Sequence, residues 1–568
     1  MKLCTVWMAV LVGLIGYDKV GILPVSAFVP QRCFIPSRQV HLAHTPWNTY
    51  PQKVRTHVVM VATPRVQEEE RLTVPEDDTF SLRGWWREMS YPGSRPSTTV
   101  AKTFKDFAEK TGGLWRTRCL GLIPTTMLAA PTSTSWIKKV EANDKLKTSW
   151  PKSAMALLGE KSVIASELTP EQHESLRDLY LKTIGPSTIL SVQPLVEFHM
   201  DKYIKAIERY AETGEAFQLV PILKELSLDV IIACFLGDIT QDELEVLREC
   251  FNIIEPGLVS IPIALPWPLS RTPLAKLRPF NYGRAMEARE VVSKTILGIV
   301  DRRRRELSSA DKWESKYVID TVLEKQAQQW ANGGPAEGEM EVDENFITDN
   351  ICISLFGGQG TTTTVISRVV HLLTAPESKY AAEEILNEVF TTELKVGSEA
   401  AGGLFASFPY VRSLTLETAR LFPPSFGVFR KPVEDLNYNG YTLPKDQPIL
   451  WSYLPSAMHD EYYPEPERAC PFRFLNTRGP SSTAQSTGEP RKADEPGQPQ
   501  PPMFGFGKHF CPGRELSKLE IIMFIKKLFG TFDVHLVEDQ NLRGNFVHNM
   551  PLSGLQLTVS KKASSPAS

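Results

Sequence analysis

Residues 504–514, near the C-terminal end of the chain, have the sequence Phe-Gly-Phe-Gly-Lys-His-Phe-Cys-Pro-Gly-Arg. Two glycines, Gly507 and Gly513, bracket Cys511, and a long apolar segment follows directly. Because glycine adopts positive φ angles and has no Cβ atom, both glycines predict a tight turn whose backbone can lie under a flat ligand. The stretch therefore predicts one cysteine held in a narrow loop that opens onto a helix.

The residue types in this loop suit the binding of haem. A single cysteine thiolate bound to haem iron donates electron density that favours O–O cleavage. His509, two residues before the cysteine, can pair as a cation with a haem propionate, and Phe504 is expected to pack beside the ring. Cys511 is accordingly the predicted metal ligand.

The stretch matches the pattern F-x-x-G-x-[HR]-x-C-x-G and resembles the signature loop of the cytochrome P-450 family. The resemblance covers about residues 91–559. Residues 423–460 and 511–536 are most similar to the branch that oxidises sterols, brassinosteroids, retinoids or carotenoids. The resemblance implies the cytochrome P-450 fold, which is mainly α with a smaller β subdomain, and haem b (iron protoporphyrin IX) as cofactor.

An apolar helix is predicted at residues 350–373, with a weak point at Gly-Gly-Gln-Gly before four threonines. Small residues permit a kink and close approach to a ligand, and a hydroxyl there can pass protons to bound dioxygen. The segment resembles the family motif [AG]-G-x-[DE]-T-[TS], which implies that Thr361 delivers protons. Gly360 stands where the motif has an acidic residue. Either Gln359, Thr362 or ordered water replaces that residue, or the enzyme does not activate dioxygen.

Further cations are candidates for binding the propionates. His173 and Arg177 are four residues apart on one face of a predicted helix, where the family commonly has Trp-x-x-x-Arg. Arg430 follows two prolines on a predicted strand. The family uses three segments as pocket walls, and their mainly apolar side chains predict a hydrophobic substrate. These segments are residues 353–357, 426–429 and 549–552.

A structural ion-pair cluster is also predicted. Glu417 and Arg420 are one turn apart on a helix that ends at Pro423 and Pro424, so their charges can pair. The pair resembles the family's E-x-x-R motif, which Arg473 is expected to complete. The resemblance implies that the three residues lock the loop of the cysteine and take no part in catalysis.

The composition argues against several other functions. With 568 residues, of which 42% are hydrophobic, the chain can bury a large core. Its 63 basic and 66 acidic residues give a net charge of -3, and this balance argues against binding of nucleic acid. The eight cysteines have neither Cys-x-x-Cys nor Cys/His ligand spacing, so neither a disulfide framework nor a zinc site is indicated.

The first 80 residues predict targeting. Lys2, the mostly apolar residues 3–15 and small residues before position 28 indicate a signal peptide over residues 1–27. Residues 28–80 begin with a basic stretch free of acidic residues and predict a transit peptide or linker. Val-Ser-Ala-Phe-Val-Pro at residues 25–30 resembles the junction of bipartite presequences in algae with secondary, red-type plastids. This implies import into a plastid (chloroplast), and the alternative is a signal anchor in the endoplasmic reticulum membrane.

The predicted enzyme domain spans residues 81–561 and is followed by a tail at 562–568. Residues 114–129 predict a β-hairpin because they alternate and are rich in β-branched types. Three stretches have the apolar spacing of amphipathic helices. They are residues 195–210, 220–235 and 286–307.

Two segments rich in glycine, proline and charged or polar residues predict disordered insertions or solvated linkers, at about 327–345 and 478–502. Residues 258–269 lie where the family has its substrate-access lid. Their leucines, isoleucines and prolines could rest on a membrane surface.

Together these features predict a haem-thiolate monooxygenase that inserts one oxygen atom from O2 into a hydrophobic isoprenoid, such as a carotenoid, apocarotenoid or sterol. No flavin domain or iron–sulfur cysteine cluster is recognisable, so electrons are expected from a separate protein. That protein is ferredoxin in a plastid or a flavoprotein reductase in the endoplasmic reticulum. Two alternatives stay open: a reductase-independent fatty-acid hydroperoxide isomerase or dehydratase, which Gly360 favours, and a non-catalytic haem-binding sensor.

Overall fold

The structure is a computed structural model. It describes residues 111–119, 123–130, 132–258, 281–309, 313–398, 402–425, 427–475, 500–544 and 548–562, together with residues 105, 108 and 109. The predicted presequence, nearly all of the predicted lid and most of the predicted insertion at 478–502 lie outside these residues.

Long α-helices form most of the described part of the chain. In chain order they are α1 Ser133–Ala142, α2 Lys152–Leu158, α3 Pro170–Ile184, α4 Gln193–Thr213, α5 Leu219–Leu236, α6 Gln241–Leu258, α7 Tyr282–Ser309, α8 Val318–Ala331, α9 Glu344–Thr374, α10 Lys379–Thr391, α11 Pro409–Leu421, α12 Leu454–Ala457 and α13 Arg514–Thr531. None of the described helices is both long enough and apolar enough to cross a bilayer.

The strands form a smaller β part. They are β1 Leu114–Cys119, β2 Ile123–Leu128, β3 Leu146–Thr148, β4 Phe217–Gln218, β5 Val428–Pro432, β6 Leu436–Tyr438, β7 Tyr441–Leu443, β8 Ile449–Trp451, β9 Phe532–Leu536 and β10 Gln556–Lys561. One sheet has the order β1-β2-β8-β5-β3, in which β2 and β8 are parallel and the other pairs antiparallel. A second sheet has the order β4-β10-β9, and β6 pairs with β7. The predicted fold class is confirmed, as is the hairpin, in which Leu114 pairs with Leu128.

Helix α9 runs through the core and packs against α5, α11 and α13. It begins where the Asp343 carboxylate accepts a hydrogen bond from the Phe346 backbone N–H, which satisfies one of the donors left open at a helix start. The helix continues without a break through the glycines at 357–360. Two threonine hydroxyls donate to carbonyls one turn earlier: Thr361 to Gly357 at 2.5 Å and Thr364 to Gly360 at 2.8 Å. These internal bonds satisfy the hydroxyls inside a core helix.

Two predictions differ from the structure. The linker predicted at 327–345 is shorter in the structure and covers only residues 332–343, because α8 extends to Ala331 and α9 starts at Glu344. The Gln329 amide also binds the backbone of Met340 and Val342 and so fixes the turn between the helices. The stretch at 220–235 is helical, but α5 is buried on nearly every side and is therefore a core helix, not an amphipathic one.

Candidate active site

The cysteine loop, residues 502–513, turns through two left-handed glycines. Gly505 has φ +74° and Gly507 has φ +59°, a conformation that strains residues with a side chain. The Cys511 backbone N–H donates to the Phe504 carbonyl at 2.8 Å and closes the loop. The structure thus bears out a tight turn at Gly507 and adds one at Gly505.

Gly513 differs from its predicted conformation. Its φ is -81°, because it occupies the position immediately before the first turn of α13. A Cβ atom added there would lie 4.0 Å from the Cys511 Sγ atom, an ordinary contact distance. The prediction of positive φ at Gly513 is therefore wrong, and Gly505 supplies the second left-handed turn.

Cys511 lies deep in the protein and still keeps accessible surface. Removal from water raises the pKa of its thiol, although a backbone hydrogen bond at Gly513 acts in the opposite direction. The cysteine is nevertheless only partly buried, as are Phe504 and Phe510 in the same loop. A cysteine that is deep in the protein and still accessible must border an internal cleft. Close-packed interiors leave few such voids, so the space beside Cys511 is a distinct feature. Such a cleft suits a flat, apolar cofactor.

Predicted propionate-binding residues meet beside this loop. The rings of His173 and His509 lie 4.8 Å apart, edge to face. Arg177 donates from Nη1 to the Lys508 carbonyl at 2.8 Å. Burial, followed by the positive charges of neighbours that include Arg177 and Arg430, lowers the pKa of His509 to about 3 and that of His173 to about 4. A carboxylate placed among these groups would be stabilised and would raise both pKa values. The cluster therefore fits the propionates of haem.

Arg430 belongs to the cluster but is paired with an acidic side chain. Its Nε atom donates to Glu141 Oε1 at 2.5 Å, and its Nη1 atom donates to the Phe429 carbonyl at 3.0 Å. Burial raises the pKa of Glu141, and the charge of Arg430 opposes this rise. Glu141 was not a predicted site residue, because it precedes Arg430 by 289 positions and no local pattern links the two.

One side of α9 keeps accessible surface in the middle of the core. Its partly or fully accessible residues are 353, 354, 356, 357, 358 and 361. At 100° per residue most of them fall within an arc of about 140°. Thr361 lies in this arc, whereas Gln359 and Thr362 are buried elsewhere on the helix. The Gln359 amide donates to the Lys224 carbonyl on α5 at 3.4 Å. The predicted alcohol, Thr361, thus keeps accessible surface, whereas Gln359 and Thr362, the two side chains predicted to replace the acidic residue of the motif, are buried.

Gly360 is in contact with a residue that the sequence had not indicated. A Cβ atom added to Gly360 would lie 2.6 Å from both Cδ2 and Nε2 of His548. The His548 ring, from the segment before β10, is buried and also lies 5.9 Å from the ring of Phe356. An acidic side chain at position 360 would therefore overlap the imidazole.

The ion-pair cluster forms in the interior. Arg420 donates to both carboxylate oxygens of Glu417 at 2.8 and 2.7 Å, and Arg473 Nε lies 3.1 Å from both. Glu417 also accepts from the Cys470 backbone N–H at 2.9 Å. The two arginines bind backbone carbonyls between Ala457 and Arg468. These contacts fix residues 457–473, and the lock on the cysteine loop stays a prediction.

The predicted pocket walls occupy three different settings. Residues 353–357 include the accessible side of α9, as described above. Phe429 is buried on β5, with its ring 5.7 Å from that of Trp150, and residue 426 lies outside the described residues. The Asn549 carbonyl accepts two hydrogen bonds from the buried Arg368 on α9, and Leu552 is exposed.

Comparison with known proteins identifies the family. A family model described as Cytochrome P450 matches residues 81–556. Taxane 13-alpha-hydroxylase of Taxus cuspidata is 25% identical over 481 residues, which are 83% of this chain and 89% of that protein. Abscisic acid 8'-hydroxylase of Solanum lycopersicum is 25% identical, over 74% of this chain and 78% of its own. Beta-amyrin 11-oxidase of Glycyrrhiza uralensis is 26% identical, over 73% and 75%.

Solved structures agree in fold. A retinoic acid-bound cyanobacterial P450 superposes with a TM-score of 0.65 at 20% identity and covers 86% of this chain and 99% of its own. A zebra fish cytochrome P450 with progesterone gives 0.63 at 16% identity, covering 82% and 99%. Because the family model spans most of the sequence, the chain belongs to the cytochrome P450 family, whose members are haem b-dependent monooxygenases.

Proposed function

We propose that this P450 hydroxylates a hydrophobic isoprenoid, and that Cys511 would hold the haem iron. The position of Cys511 carries the proposal. It lies in a loop closed by its own backbone hydrogen bond, keeps accessible surface, and adjoins basic side chains whose charges help to lower the pKa of His509. A thiolate at this point donates electron density to iron, and the bound haem supplies dioxygen activation.

The protein's own residues have distinct roles in this proposal. Gly505 and Gly507, with their left-handed backbone, would let the loop approach the haem closely. His509 and Arg177 bind the propionates, which fixes the orientation of the ring. Thr361, on the accessible arc of α9, would steer protons through its hydroxyl.

The relatives support an isoprenoid as substrate. Taxane, abscisic acid and β-amyrin, the compounds in the names of the three relatives, all have isoprenoid carbon skeletons. Ile353 and Phe356 add apolar surface to the accessible side of α9. A carotenoid, apocarotenoid or sterol fits this chemistry. The balanced reaction converts the substrate R–H, O2, two electrons and two protons into R–OH and water.

The electron donor and the compartment belong to the same proposal. The basic presequence favours a plastid and hence ferredoxin, and a signal anchor would instead favour a flavoprotein reductase at the endoplasmic reticulum. Sequencing the N-terminus of the mature protein from its source cells tests this. A mature protein that begins near residue 80 supports import, and one that retains residues 1–27 contradicts it.

The ligand assignment is tested by the reduced, carbon monoxide-bound spectrum of the haem-loaded protein. We expect the red-shifted carbonyl band of a thiolate complex in the wild type, and its loss in Cys511→Ala. Cys470→Ala is the matched control, because this half-buried cysteine lies in the segment bound to the ion-pair cluster. A thiolate-type band that survives Cys511→Ala would refute the assignment.

Substrate class is tested by the spin-state shift that a substrate causes when it displaces water from iron. Diterpenes, triterpenes, apocarotenoids and fatty acids are titrated in parallel. We expect shifts with isoprenoids and turnover that needs an electron donor. Rapid turnover of fatty-acid hydroperoxides without any donor would contradict the proposal and support an isomerase.

A further inference from the structure

We propose that His548 and Glu255 form the proton path of this enzyme and replace the acidic side chain that the family motif places at position 360. The inference rests on the proposed monooxygenase function, in which each turnover takes two protons from solvent. Its basis is a row of polar groups from Lys224 at the surface to the ring against Gly360.

The imidazole of His548 takes the place of an acidic side chain at position 360. Gly360 has no Cβ atom, and the place where that atom would lie is 2.6 Å from His548 Nε2. The imidazole thus occupies the region that an aspartate or glutamate at position 360 would need. It brings a titratable group to the residue that precedes Thr361, as the acidic residue of the motif would.

The hydrogen bonds of the ring define which nitrogen carries the proton. Nδ1 of His548 lies 3.2 Å from the Pro424 carbonyl oxygen. A carbonyl only accepts, so Nδ1 carries hydrogen and Nε2 is the nitrogen that gains and loses a proton. Nε2 faces Glu255 Oε1 at 3.9 Å, a gap that a small rotation of either side chain closes to hydrogen-bond distance.

Glu255 connects the ring to the outside. It lies in the last turn of α6, and its Oε2 atom accepts from Lys224 Nζ at 2.5 Å. The Lys224 side chain is 26% exposed and that of Glu255 is 12% exposed. Protons can therefore enter from solvent at this pair and pass to the buried imidazole.

The surrounding charges leave the imidazole able to accept a proton. Burial lowers the pKa of His548 below its ordinary value, the charge of Glu255 and the hydrogen bond to Pro424 raise it, and the charge of Lys224 lowers it. The ring is therefore mostly neutral at pH 7 with Nε2 as a base. The backbone next to the ring is held in place, because Arg368 donates hydrogen bonds of 3.0 and 2.8 Å to the adjacent Asn549 carbonyl.

The protonation states of His548 and Glu255 are restored after each proton has passed. Nε2 takes a proton from the Glu255 carboxyl group, which regains a proton from solvent at Lys224. After a small rotation of the imidazole, Nε2 releases the proton on the side of α9 where Thr361 is accessible, and the ring is neutral again. Two such passages accompany the two electrons from the donor protein. One oxygen atom then leaves as water and the other enters the substrate.

The proposal predicts uncoupling in haem-loaded His548→Phe and Glu255→Gln. We expect product formation about a hundredfold slower, continued consumption of donor electrons with release of hydrogen peroxide, and a larger solvent isotope effect. The thiolate-type carbonyl band and the substrate-induced spin shift should stay unchanged. His371→Leu serves as control, because this buried histidine of α9 contacts Phe422 and faces neither Gly360 nor Glu255.

A measurement that does not depend on turnover tests the link between the two residues. The pKa of the His548 ring is followed by NMR of histidine-labelled protein, and Glu255→Gln should lower it because the carboxylate charge is removed. An unchanged pKa would overturn the proposed link. If His548→Phe does not fold, His548→Gln, which keeps a polar side chain of similar length, replaces it in every assay.

The outcomes separate this inference from the proposed function. Loss of the carbonyl band in Cys511→Ala with full coupling in His548→Phe and Glu255→Gln supports the haem site and refutes the proton path. Weaker substrate binding with normal coupling would also refute it and assign His548 to substrate contact. A thiolate-type band that persists in Cys511→Ala refutes the proposed function itself.

Discussion

Replacing Glu417 by glutamine should cost a large part of the stability of this enzyme. The carboxylate is fully buried and accepts hydrogen bonds from Arg420, Arg473 and the Cys470 backbone. Glutamine keeps the shape but removes the negative charge and turns one acceptor oxygen into an NH2 donor. Two guanidinium groups are then left without their counterion in the interior.

The magnitude follows from the burial of the pair. Removing one partner of a buried ion pair typically costs about 3–5 kcal/mol, whereas whole domains are stable by only about 5–15 kcal/mol. The matched control is Glu434→Gln. Glu434 pairs with Lys145 at 2.6 Å, but both side chains are about half exposed, so the expected cost is below about 1 kcal/mol.

Urea unfolding of the haem-loaded proteins, followed by circular dichroism, measures both costs. We expect Glu417→Gln to lower the free energy of unfolding by at least about 3 kcal/mol and Glu434→Gln to leave it nearly unchanged. Equal, small effects in the two variants would show that the buried cluster does not stabilise the fold. Residues 457–473 would then be held by contacts other than the ion-pair cluster.

Two further variants test single features of the fold. Burial and the charge of Arg368 lower the pKa of His371 to about 3. The folded protein therefore holds this ring neutral while the unfolded chain protonates it below about pH 6.5, and the free energy of unfolding falls as the pH drops from about 6.5 toward 3. At pH 5 the loss is about 2 kcal/mol, and His371→Leu should remove it from the difference in unfolding free energy between pH 7 and pH 5. An unchanged difference would contradict the low pKa. Gly113 has φ +78°, and an added Cβ atom would lie 2.4 Å from the Ala130 backbone, whereas Gly112 has φ +68° and open space. Gly113→Ala should therefore lower the free energy of unfolding by more than the about 1–2 kcal/mol that a left-handed alanine costs. Gly112→Ala should cost no more than that amount. Equal urea midpoints of the two variants would refute the clash with Ala130.

The sequence was informative where the chemistry depends on neighbours in the chain. The cysteine loop is a local motif, so the turn at Gly507 and the helix after Gly513 could be predicted from spacing alone. The pairing of Glu417 and Arg420 followed from their separation of one helical turn. Even here the conformation of Gly513 was wrong, because a residue just before a helix can have negative φ, and the motif does not say which glycine turns the chain.

Contacts between distant segments could not be predicted in the same way. Arg430 was expected to face a propionate, and only the folded sheet shows that it also pairs with Glu141 on α1. Composition likewise misplaced the boundary at 327–345. Gly333, Gly334 and Pro335 indicate a break, but the hydrogen bonds of Gln329 that order the turn depend on residues beyond the break.

The departure at Gly360 shows why a missing motif residue is better interpreted in the folded chain. Taken alone, a glycine in place of an acidic residue argues for lost proton delivery and hence for a hydroperoxide isomerase. In the structure the same glycine is required by the closeness of His548, whose Nδ1 is fixed by Pro424 and whose Nε2 faces Glu255. The absent carboxylate and the added imidazole thus depend on each other, because an acidic side chain at position 360 and the His548 ring would occupy the same space. A site that keeps Thr361 accessible and places a titratable ring one residue away has kept the components of proton transfer while changing their source.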